Sequence, residues 1–215
     1  MSEHHDHSHA VVTEENSKKL MVALGLTTTF LIVEVVAAFI TQSLALLSDA
    51  AHMFTDVAAL AIALAAIKIG KKAADDKRTF GYQRFEILAA LFNAVMLFVV
   101  AIYIVYEAYQ RFTNPAEIQS VGMMIVAVIG LVVNLISMKI LSASAEGSLN
   151  IKGAYLEVLS DALGSIGVII GGIVIYFTQW MWVDTVIAVL IGFWVLPRTW
   201  VLLKQSIHIL LEGVP

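Results

Sequence analysis

Six apolar runs, each about 21 residues or longer, leave this chain few folds to choose from. They cover roughly Leu20–Ile40, Leu44–Ile67, Phe85–Ala108, Ile118–Leu141, Leu149–Phe177 and Val183–Leu203. At about 1.5 Å per residue, each is long enough to cross a hydrocarbon core of roughly 30 Å. Lipid offers no hydrogen bonds, so a segment inside it must satisfy its own backbone, and these runs are expected to be helices. A barrel would show alternating strands of about ten residues instead. Composition agrees: 60% of the 215 residues are hydrophobic and 14% charged, against roughly 45–50% and 25% in a soluble domain. The expected fold is an all-α membrane protein, a bundle of six transmembrane helices.

Several function classes drop out at once. The net charge of −4 and the lack of a separate basic stripe exclude a nucleic-acid partner. With no cysteine there is no disulfide framework, thiolate metal site or cysteine nucleophile. There is no Walker motif, so ATP is not expected to drive the protein, and no H-E-x-x-H motif to suggest a membrane metallohydrolase. The first twenty residues are polar, unlike a cleavable signal peptide.

Basic residues set the expected orientation. With the N-terminus in the cytoplasm, the inside segments hold Lys18 and Lys19; Lys68, Lys71, Lys72, Lys77, Arg78 and Arg84; Lys139 and Lys152; and Arg198 and Lys204. Arg111 alone is left outside, as the positive-inside rule requires. Both termini are therefore expected in the cytoplasm. Residues 1–19 read as a His-containing cytoplasmic tail, 20–205 as the six-helix domain and 206–215 as a short cytoplasmic end. Thr41–Ser43 and Thr178–Trp182 read as tight outer turns, and Pro115 falls in the third–fourth turn, where it breaks no helix.

A carboxylate at mid-bilayer costs about 2.5–3.5 kcal/mol on insertion scales and needs a reason to be there. The second run holds Asp49, His52 and Asp56, and the fifth holds Glu157 and Asp161. Glu34 lies inside the first, while Glu86, Glu107 and Asp184 lie nearer helix ends. His52 and Asp56 are four apart and share a helix face; Glu157 and Asp161 repeat that spacing. The two helices enter from opposite sides near Ser43 and Ser148. Each reaches its first candidate about nine residues in, roughly 13–14 Å deep, so the pairs are expected to meet near the midplane.

One imidazole and three carboxylates form a plausible four-ligand set for a divalent cation of the Zn²⁺ type. An empty site of this charge should take up protons instead, the physical basis of metal/proton exchange. Asp49 is ambiguous: it precedes His52 by three on a similar face, yet has no partner four residues before it. The segment Leu47-Ser-Asp-Ala50 also echoes Leu159-Ser-Asp-Ala162, although the pair spacing favours Asp56 as the ligand. Glu34 reads equally well as a hydrogen-bonding partner between helices.

These blocks resemble the cation diffusion facilitator family over almost the whole chain. The most specific are Ser43-Leu-Ala-Leu-Leu-Ser-Asp-Ala-Ala-His-Met-Phe-Thr-Asp56, Arg78-Thr-Phe-Gly-Tyr-Gln-Arg-Phe-Glu86 and Gly153-Ala-Tyr-Leu-Glu-Val-Leu-Ser-Asp-Ala-Leu-Gly-Ser165, with Ser206-Ile-His-Ile-Leu-Leu-Glu-Gly213 at the end. The likeness is to the bacterial cobalt–zinc–cadmium resistance branch. It implies a secondary transporter rather than an enzyme, in the bacterial inner membrane, exporting metal in exchange for protons as a homodimer. It also implies a metal site at His52, Asp56, Glu157 and Asp161, with no cofactor beyond the transported cation. Many zinc members carry histidine where Glu157 stands, so cadmium and cobalt remain open beside zinc. The family usually adds a cytoplasmic metal-binding domain where this sequence ends. His4, His5, His7 and His9 then read either as a tail that gathers metal or as a plain polar tail; with Asp49 they are the accessory metal candidates. Asp75 and Asp76 are a weaker one. The competing functional reading is a proton-coupled antiporter of small organic cations.

Overall fold

The computed structural model describes residues 14–69, 83–142 and 149–210. Six helices follow one another there: α1 Glu14–Thr41, α2 Leu44–Ile69, α3 Gln83–Thr113, α4 Ser120–Ser142, α5 Leu149–Thr178 and α6 Trp182–Leu210. Five of the apolar runs fall inside one helix each, and the fourth enters α4 from Ser120 onward. Among the described residues, four stretches are long and apolar enough to cross a membrane: Lys18–Thr41, Leu91–Thr113, Ser120–Ser142 and Lys152–Thr178. In α6 the apolar stretch is shorter, Trp182–Trp194.

Two of the connections are as tight as the sequence suggests. Gln42 ends α1 in a left-handed conformation, φ 57°, and the Ser43 N–H donates back to the Ala38 carbonyl at 3.1 Å. That bond satisfies a carbonyl that the helix end would otherwise leave open. Gln179 does the same for α5, with φ 59° and its N–H on the Ile175 carbonyl at 2.8 Å. Beyond it Trp180 and Trp182 stack with ring centroids 5.8 Å apart, both well exposed. Indoles suit the level where lipid headgroups begin. Pro115 lies between α3 and α4, outside both.

The bundle carries large apolar side chains on its outer faces as well as in its core. On α4 the buried positions are Met123, Ala127, Gly130, Asn134, Ser137 and Leu141, spaced alternately four and three apart. Its outer face carries Ile125, Val128, Ile129, Val132, Leu135 and Ile136. Lipid is as apolar as these side chains, so helices associate there through close contact of small residues and polar bonds. Gly130 shows how close: a Cβ at that position would lie 2.5 Å from Phe30 Cζ on α1. α2 occupies the middle, packed against α1, α3, α5 and α6, while α4 joins α1 to α5 and α3 pairs with α6. The chain's two most ligand-rich helices, α2 and α5, are thus in contact at the centre.

Candidate metal centre

On α2, one helical turn separates His52 from Asp56, and their side chains meet with Nε2 3.6 Å from Asp56 Oδ2. From α5, Asp161 brings Oδ1 to 3.7 Å from the same nitrogen. Side-chain donors of all three lie within 4.8 Å of one another, and all three residues are buried. Both contacts are too long to be hydrogen bonds. They are close to the ~3.4 Å that two ligands at roughly 2.0–2.2 Å subtend across a tetrahedral ion. At an effective dielectric of about 20, two ionised carboxylates no more than 4.8 Å apart repel by at least about 3.5 kcal/mol. A dication between them turns that repulsion into attraction.

Glu157 stands one turn before Asp161. Among the described residues it is outside the 4.8 Å group, but it lines a small cavity of about 20 Å³ together with Asp56 and Asp161. The other walls include Ala23, Thr27, Met53, Leu141 and Ala154. Ala23, Leu141 and Ala154 lie toward the end of the bundle where α1 and α5 begin and α4 finishes. Glu157 is half-buried there, between that end and the three-donor group. The i,i+4 pairs anticipated from spacing do face each other, with three donors together and the fourth on the adjoining wall.

Asp49 goes elsewhere. Buried to 2% exposure, it lies beside Glu34 of α1, itself 1% exposed. On its α5 side Asp49 rests against the bare backbone of Gly164. It is not one of the three grouped donors. His4, His5, His7 and His9 lie outside the described residues, as do Asp75 and Asp76.

One buried polar group goes unread in the sequence, and a second reads there only as a charge near a helix end. Asn134 is fully buried on α4, and neither its Nδ2 nor its Oδ1 has a hydrogen-bond partner. An amide inside a 23-residue apolar helix, flanked at three- and four-residue steps by Gly130 and Ser137, was the available signal. The other is Asp184. It is 0% exposed and accepts hydrogen bonds from Ser43 Oγ and from the Leu44 and Ala45 N–H groups that open α2, across about 140 positions of chain. No local pattern announces a partner so distant.

A bundle of long apolar helices, with a buried His-and-carboxylate set that could hold a metal ion shared by two of them, defines an integral, multi-pass membrane protein. Residues 20–211 match the family described as the cation efflux transmembrane domain, and the chain belongs to that family, the cation diffusion facilitators. It is 65% identical over 211 residues to the metal cation efflux system protein CzcD of Cupriavidus metallidurans, covering 98% of this chain and 66% of that protein. It is 44% identical to the cadmium, cobalt and zinc/H(+)-K(+) antiporter of Bacillus subtilis, over 93% of this chain and 65% of that protein. To the zinc transporter ZitB of Escherichia coli it is 43% identical, over 98% and 69%. The chain spans about two thirds of the length of the curated relatives it matches.

Proposed function

We propose that this protein is a secondary transporter, not an enzyme, that exports Zn²⁺, and also Cd²⁺ and Co²⁺, across a bacterial inner membrane in exchange for protons. The observation that carries the reading is the convergence of His52, Asp56 and Asp161 in the buried centre of the bundle. Glu157 is the fourth ligand, reached through the cavity it lines. Its relatives, a metal cation efflux system protein and a cadmium, cobalt and zinc antiporter, point the same way. A cavity of about 20 Å³ suits a bare ion and not an organic cation.

Six spans with both termini in the cytoplasm remain our reading of topology. It rests on the six helices and on the basic residues that cluster at one side. Residues 20–205 form the membrane domain, the residues on either side of it face the cytoplasm, and the working unit is a homodimer. Metal enters from the side that the cavity walls line, is held at the midplane and leaves outward; protons return on the vacated carboxylates.

Everted membrane vesicles test the proposal. Zn²⁺ uptake should be strong with the unaltered chain, and His52→Ala, Asp56→Ala, Glu157→Ala and Asp161→Ala should each abolish it with normal membrane insertion. Collapsing the pH gradient should stop uptake. Near-normal uptake in two of the four variants would sink the site assignment, and indifference to the gradient would make the protein a uniporter.

A further inference from the structure

We propose that Asp184, which lies on α6 and outside the metal centre, is a positioning residue that holds α2 in the register its metal ligands need. The inference rests on the transport reading above and concerns residues that no part of that reading uses.

The first turn of a helix leaves backbone N–H groups without intrahelical partners. On α2 a side chain from the far end of the sequence takes two of them. Leu44 N donates to Asp184 Oδ2 at 2.6 Å, and Ala45 N donates to Asp184 Oδ1 at 3.2 Å. Ser43 supplies the third bond in the usual capping manner, its Oγ accepting from Leu46 N at 3.1 Å. The same hydroxyl donates to Asp184 Oδ1 at 2.6 Å. Arg111 of α3 completes the clasp, with Nη1 3.3 Å from Asp184 Oδ2 and 2.8 Å from the Gln42 carbonyl. Glu107, one turn earlier, holds the guanidinium at 3.0 Å. One buried carboxylate therefore ties α2, α3 and α6 together at the α1–α2 turn.

A carboxylate there interacts favourably with the positive end of the α2 dipole, and its full burial removes water as a competitor. One turn further in, Ser48 Oγ donates to the Ala188 carbonyl at 3.0 Å. Asp184 and Ala188 are also one turn apart, so α2 is pinned to α6 at two successive levels. His52 follows Leu44 by about 12 Å of stiff helix. A one-residue slip of α2 would rotate His52 by about 100° and take it off the face that meets Asp161. Composition alone cannot prevent such a slip in lipid, where no hydrophobic force orients one helix against another. The clasp supplies the missing reference point.

The test uses the whole chain in lipid nanodiscs with Co²⁺ as probe, read by titration and by its ligand-field spectrum. Asp184→Asn should weaken Co²⁺ binding about tenfold, as expected for losing charged hydrogen bonds, and should change the spectrum because the donors no longer converge. Ser43→Ala, a milder variant for use if the first folds poorly, should weaken binding roughly fivefold. The swap Ser43→Asp with Asp184→Ser returns a carboxylate to the α2 end and should restore both affinity and spectrum. Unaltered affinity and spectrum in Asp184→Asn, with only thermal stability reduced, would overturn the proposal and leave a structural role. A swap that fails to restore the spectrum would also overturn it. Absence of Co²⁺ binding by the unaltered chain would instead bring down the metal-transport reading and this proposal with it.

Discussion

Asp49 and Gly164 touch across the α2–α5 interface: a Cβ built at Gly164 would lie 2.7 Å from Asp49 Oδ1. The contact is three residues beyond Asp161 on α5 and three before Asp56's partner His52 on α2. It sets how closely the two ligand-bearing helices approach. Asp49 is 2% exposed and its other side meets Glu34, so its carboxyl has little room to retreat.

Gly164→Ala should therefore force the helices apart and cost about 1–3 kcal/mol, the range for overpacking a filled site. Thermal unfolding in detergent should show the loss, and vesicle uptake of Zn²⁺ should fall with it, although Gly164 is not a ligand. A variant with unchanged unfolding temperature and uptake would show that the interface has slack the structure does not indicate.

Metal binding should release protons. Ligating carboxylates and imidazole must be deprotonated, and the donors of His52, Asp56 and Asp161 lie within 4.8 Å of one another. Under the proposed exchange, the empty site holds protons that the cation displaces. Zn²⁺ added to the purified chain in weak buffer should acidify the medium, and apparent affinity should weaken as the buffer is made more acidic. Release should shrink in alkaline buffer, where fewer protons remain bound. Binding heats that do not vary with buffer ionisation enthalpy would contradict proton exchange at this site.

Glu157→His should narrow the choice of metal. As the proposed fourth ligand, the glutamate gives the site a third carboxylate, which Cd²⁺ and Co²⁺ can share with Zn²⁺ by taking extra or bidentate oxygens. Histidine would supply a second nitrogen, remove one negative charge and favour compact tetrahedral Zn²⁺. Zn²⁺ transport should persist while relative activity toward Cd²⁺ and Co²⁺ declines in competition assays. The same order of preference in both proteins would return Glu157 to charge balance or proton carriage at the cavity wall.

Much of this architecture is legible along the chain because lipid makes it a local matter. A segment that must satisfy its own backbone has to be a helix, so the apolar runs foretell α1 to α6 to within a few residues at most ends. Helix geometry likewise puts His52 with Asp56, and Glu157 with Asp161, on shared faces before any packing is known.

What the tertiary structure alone decided is how each helix is rotated and set against its neighbours. Asp49 and Asp56 carry the same carboxyl group on one helix, yet one turns to Glu34 and Gly164 and the other to His52 and Asp161. Asp184 reads in sequence as one more charge near a helix end, and in the fold it caps α2. Rotation and register come from contacts between residues far apart in the chain, the close approach at Gly130 and Gly164 and the clasp at Asp184. Periodicity specifies a face but not its partner, because lipid-facing and helix-facing surfaces are nearly equal in polarity and only packing separates them.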